Sequence, residues 1–136
     1  MKRLRRPGGM DPPAVATLPD GEAIELVAAA EEVTRRYFAE FPDDLDNYSA
    51  EVRDWAVHDT QHILSWAVSE LNGFRALGRQ VDWLARVLAA RDFPLERLAR
   101  NLELSADVLA ERVPGERDAI EAMFAEAARG VRAASA

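Results

Sequence analysis

Apolar side chains recur every three or four positions along most of this chain, and proline or glycine interrupts the pattern at intervals. That spacing lines up the apolar groups on one face of a helix. A strand would need strict alternation, and no stretch sustains it. Ile24, Val27, Val33, Tyr37 and Phe41 trace a first helix over about 21–41, with Asp20 as its cap and Pro42 as its stop. "DDLDN" opens a second helix over about 44–73, ended by Gly73. A third, about 75–91, carries Leu77, Val81, Leu84 and Leu88 on one side and Trp83, Val87 and Ala90 on another. Two apolar sides mark a central helix. "RDFP" breaks it, and short helices over about 95–102 and 105–113 follow, the second capped by Ser105, then a last one over about 116–132. The expected fold is all-α, a single-domain bundle of five to six helices.

Residues 1–19 hold Pro7, Pro12, Pro13 and Pro19 and are expected to be a disordered, basic, Pro-rich leader, with the helical domain spanning 20–133. The 136 residues fit one domain, and an apolar share of 49% can fill a core. The absence of Cys removes disulfides, thiol catalysis and thiolate zinc sites. No apolar run is long enough to span a bilayer and none follows the basic N-terminus as a signal sequence would, so a cytoplasmic location is expected. Net charge is −7, and residues 1–9 carry +4, so the remainder carries −7 − 4 = −11. A body that acidic repels phosphates and anionic lipid, so neither nucleic acid nor membrane is an expected partner.

The only two histidines, His58 and His62, stand four apart in "HDTQH". Helical geometry puts His58 on the polar side of the second helix and His62 at the border of its apolar arc. As a pair they can bind a metal or haem weakly, but a third ligand is missing and Asp54 is too far along the axis to share one ion with His62. A more productive grouping is Trp55, Asp59, His62 and Trp66, which neighbour one another at three- and four-residue steps. Asp59 intrudes into the apolar arc one turn from His62, where it would orient the imidazole. Two indoles beside an acid and an imidazole can line a pocket for a planar ligand, with Trp83 of the third helix facing them. The competing reading makes this strip a structural rim or a subunit interface. Glu70 and Arg53, also inside the apolar arc, point to a partly polar contact such as a second subunit.

"LERLARNLELSADVLAERV", residues 95–113, has the outline of a helix-turn-helix, with Ala99 at the inter-helix contact and Ser105 after the turn. The residues it would present to DNA are Ser105, Ala106, Asp107, Ala110 and Glu111, which lack the arginine, lysine or amide donors that phosphates and guanine require. Catalysis has little basis: no nucleophile elbow, phosphate loop or paired-carboxylate motif is present, and the hydroxyls nearest Asp59 and His62 lie on other faces.

"HILSW" followed by "QVDWLARVLAARDFPLERLARNLELSADVL" resembles the helical modules of bacterial regulatory proteins that occur alone or beside cobalamin-binding domains, loosely akin to globin-like stress sensors. Trp83–Leu84, Val87–Leu88, Ala90–Arg91 and Pro94 carry the likeness, with Asp92 where the pattern has glycine. The resemblance implies a sensory or interaction role. A cobalamin domain's Asp-x-His-x-x-Gly loop is absent from the chain. Together these readings give a non-enzymatic sensory or protein-interaction module that forms a homo-oligomer. No cofactor is expected. Candidate ligand residues are Trp55, Asp59, His62, Trp66 and Trp83. The alternatives are a helix-turn-helix regulator using 95–113 and a metal or haem protein using His58 and His62.

Overall fold

The computed structural model describes residues 11–44 and 52–135. Two short strands, β1 (Val15–Thr17) and β2 (Ala23–Glu25), precede α1 (Leu26–Glu40), α2 (Val52–Leu71), α3 (Leu77–Ala90), α4 (Leu95–Arg112) and α5 (Arg117–Ser135). A 3-10 turn, Pro114–Glu116, joins the last two. Among the described residues the fold is all-α apart from this one hairpin. One core joins every helix, with Leu26, Leu64, Leu102, Leu109 and Ile120 fully buried. None of the described helices is long and apolar enough to cross a membrane.

The reading of 1–19 as disordered needs correction over its second half; residues 1–10 lie outside the described residues. β1 and β2 pair antiparallel, Val15 with Glu25 and Thr17 with Ala23. Their turn is held by Leu18 N–H donating to the Glu22 carbonyl and by Gly21 in the left-handed region, φ 92°. Asp20 does not cap α1. Its carboxylate accepts from the Glu22 amide inside this turn, and α1 begins only after Glu25. The "PDG" sequence was the available signal, since proline, aspartate and glycine in that order favour a tight turn.

The N-terminal segment lies along α2, held by two amide side chains. Gln61 Nε2 donates to the Pro13 carbonyl at 2.8 Å, and Asn72 Nδ2 donates to the Thr17 carbonyl at 2.8 Å. These positions are eleven apart, about three helical turns, so Asn72, the residue just past α2, continues the stripe that Gln61 occupies. His58 sits within about 60° of that stripe. Its side chain is 5% exposed, not on a solvated polar face as the sequence suggested. The stripe is polar because it faces the carbonyls of another segment.

The helix-turn-helix outline is also overturned. Residues 95–112 form one continuous helix. Nothing between Leu95 and Arg112 breaks it: neither Gly nor Pro occurs there, and Glu103 continues the helix where a turn would want glycine. Ser105 is no cap; it is buried, with its hydroxyl donating to Asn101 Oδ1 at 3.2 Å. Ser105, Ala106 and Ala110, which a recognition helix would show to DNA, are all packed inside. α4, not α3, is thus the central helix. It packs along α5 and α1, whereas the second side of α3 (Trp83, Val87, Ala90) is half-buried to exposed.

α2 and α3 end in the same way. After α2, Gly73 (φ 96°) lets its own N–H reach the Glu70 carbonyl and the Phe74 N–H reach the Ser69 carbonyl. After α3, Asp92 (φ 60°) does the same, with Asp92 N–H to Ala89 and Phe93 N–H to Leu88. These paired bonds satisfy carbonyls that a helix end leaves open. Glu70, which looked out of place in the apolar arc, accepts from the Leu77 amide at the start of α3.

Candidate functional site

A cavity of about 420 Å³ opens among α1, α2, α3 and α4. Its apolar surface is built from Phe38 on α1, Ile63 on α2, Leu84 and Leu88 on α3, and Leu98 on α4. Tyr37, Trp55 and Phe93 add aromatic surface. Phe93 is placed there by the α3 terminus: left-handed Asp92 turns the chain so that Phe93 follows Leu88 into the same wall. An apolar hollow with few polar groups is the usual make-up of a small-molecule site.

The polar groups fall into three sets. Asp44, 6% exposed, accepts from the Tyr37 hydroxyl and from Arg97 Nη1, each at 2.5 Å. The Arg97 guanidinium also lies 4.1 Å from the centre of the Phe41 ring. Burial first, and then the Asp44 carboxylate, pushes the Tyr37 hydroxyl well above the ordinary tyrosine range, so it is a neutral donor. A second chain runs from the Ser105 hydroxyl to Asn101 Oδ1 and from Asn101 Nδ2 to Thr60 Oγ1, both at 3.2 Å. These two sets are internally satisfied. The third is Asp59, whose carboxylate is 17% exposed and meets His58 Nδ1 at 3.5 Å, the outer limit of a hydrogen bond. At the exposed edge, Arg91 stacks over the Trp55 ring at 5.0 Å.

Of the five residues nominated from sequence, the structure brings Trp55 and Asp59 to the cavity wall. His62, Trp66 and Trp83 are half-buried and are not among its lining residues. His62 instead joins a ladder along α2, its ring 4.8 Å from His58 and stacked 5.6 Å from Trp66. The expected Asp59–His62 pairing is replaced by the contact between Asp59 and adjacent His58. His58 Nε2 is buried with no hydrogen-bond partner among the described residues. No group of three or more potential metal ligands occurs among the described residues. Sequence reasoning missed the contributions of α1 and α4, Tyr37, Asn101 and Arg97 above all. A polar residue at the edge of an apolar stripe was the signal for the last two, and it was read only on α2.

No family model, curated protein or solved structure matches the chain.

Proposed function

We propose that this chain is a non-enzymatic helical sensory or protein-interaction module that takes a small, mainly apolar molecule into the cavity between α1, α2, α3 and α4. The observation that carries the reading is the hollow itself: about 420 Å³, walled by aliphatic and aromatic side chains, with its polar groups confined to a few fixed positions. A concave, mainly apolar hollow with a few convergent polar groups is the usual form of a ligand site. A hollow bordered by Asp44, Asp59 and Arg97 departs from the uniformly apolar lining of an inert packing defect. The resemblance of residues 80–109 to helical regulatory modules agrees with a sensory role in a cytoplasmic protein, acting through a partner or a second copy of the chain. The continuous α4 and its buried Ser105, Ala106 and Ala110 weigh against the helix-turn-helix regulator.

The test uses N-phenyl-1-naphthylamine, a neutral probe that fluoresces in apolar surroundings. Saturable one-to-one binding with quenching of tryptophan emission is expected. Ala56→Leu, which intrudes into the hollow from its half-buried wall, should weaken it at least about tenfold. Probe binding that neither saturates nor responds to Ala56→Leu would remove the reading.

A further inference from the structure

The charges around the cavity are two carboxylates, Asp44 and Asp59, and two guanidiniums, Arg91 and Arg97. They are not equivalent. Arg97 and Asp44 are committed to each other at 2.5 Å, and Tyr37 takes the remaining Asp44 oxygen. Arg91 is at the exposed edge, where water satisfies its donors, and its face rests on Trp55. Asp59 differs from all three. Its carboxylate is mostly withdrawn from bulk water, and among the described residues it has one partner, His58, at 3.5 Å. A carboxylate offers about four acceptor positions. Here His58 meets at most one, and the rest are open to whatever water enters the hollow.

An apolar ligand entering the cavity displaces that water. If it brings no donor, Asp59 is left with the long His58 contact alone, which is unfavourable for a half-buried carboxylate. If it brings a protonated nitrogen, the water is replaced by a charge-assisted hydrogen bond, stronger than the one lost. The surroundings act in the same direction: outside residues 1–9 the chain carries −11, a field that draws in cations and repels anions. Resting on the pocket reading above, we infer that the ligand is an apolar or aromatic amine, seated with its ammonium on Asp59 and its body among Phe38, Ile63, Leu84 and Leu88.

The experiment displaces N-phenyl-1-naphthylamine from the full chain with three probes sharing one body: 4-phenylbutylamine, 4-phenylbutan-1-ol and 4-phenylbutyrate. The amine should compete about tenfold better than the alcohol, with the carboxylate weakest. In Asp59→Asn, checked for folding by its thermal melt, amine and alcohol should converge, while Arg91→Gln should keep the amine preference. Alcohol and amine competing equally in the unaltered chain, or an amine preference that survives Asp59→Asn, would overturn the assignment while leaving the pocket intact. A carboxylate preference would overturn it in favour of Arg91. Failure of the reporter to bind at all sinks both this assignment and the pocket reading, so the two failures are distinct.

Discussion

Arg97 and Asp44 meet at 2.5 Å across 53 positions of sequence, and this contact ties α4 to the chain just beyond α1 at the edge of the cavity. The Asp44 side chain is 8% exposed and that of Arg97 31%, so the pair is partly desolvated. Removing one member of such a pair costs more than the pair contributes, because the other charge stays behind without its partner. Arg97→Ala should therefore destabilise the fold by about 2–3 kcal/mol in urea unfolding. The double variant Arg97→Met with Asp44→Asn should recover part of that loss. Equal losses in the single and double variants would show that the ion pair is not what stabilises this corner.

Acid should loosen the contacts between α1, α4 and α5. Glu32 is held near 2, against an ordinary value of 4.5, first by hydrogen bonds from Arg35 and then from Arg36. Glu111 and Glu40 are lowered chiefly by Arg36 and Arg100, and Glu103 chiefly by Arg132. A depressed carboxylate contributes stability that is present above its unfolded value and disappears as pH falls through its folded value. The melting temperature should hold down to about pH 5 and fall between there and about pH 2. Because these pairs are largely exposed, added salt should shrink the drop. A melting temperature flat across that window would contradict the assignment.

The two left-handed helix termini should respond in opposite directions to equivalent chemistry. Gly73→Ala forces a side chain into φ 96°, which should cost about 1–2 kcal/mol although nothing crowds the added carbon. Asp92→Gly relieves a non-glycine residue at φ 60° and should stabilise by up to about 1 kcal/mol. Thermal melts of both variants decide this; changes of the same sign would mean that backbone conformation is not what those positions select for.

Releasing the N-terminal segment should be local. Gln61→Ala removes the donor to the Pro13 carbonyl and Asn72→Ala the donor to Thr17, each worth about 1 kcal/mol. Hydrogen exchange should rise at the hairpin amides of Leu18, Gly21 and Leu26 well before it rises in α4. Uniform acceleration across the chain would show that the segment is integral to the cooperative core.

The helices and much of the core were legible because apolar periodicity reports directly on what is removed from water: Val33, Leu77, Val81 and Leu84 follow from spacing alone. What stayed hidden depends on partners distant in sequence. His58 looked solvated because its side of α2 is polar, and no local pattern states that the segment beside it runs along α2, with Pro12, Pro13 and Thr17 accepting from Gln61 and Asn72. Ser105 looked like a cap because serine often is one, yet its hydroxyl is satisfied four residues back by Asn101. Half of the nominated strip was legible as pocket for a similar reason. Trp55 and Asp59 point toward α3 and α4, while His62 and Trp66 stack on each other along α2, and which way a border residue turns is set by the neighbour it meets.

That Leu95–Arg112 is a single uninterrupted rod, about 27 Å long at 1.5 Å per residue, has a mechanical result. Leu98 and Asn101 of this rod face the hollow; two residues past Asn101, Glu103 grips Arg132 of the final helix, and further along Glu111 holds Arg36 of the first. With no joint between these points, a tilt begun at the wall reaches both ion pairs as one lever stroke rather than dissipating in a hinge.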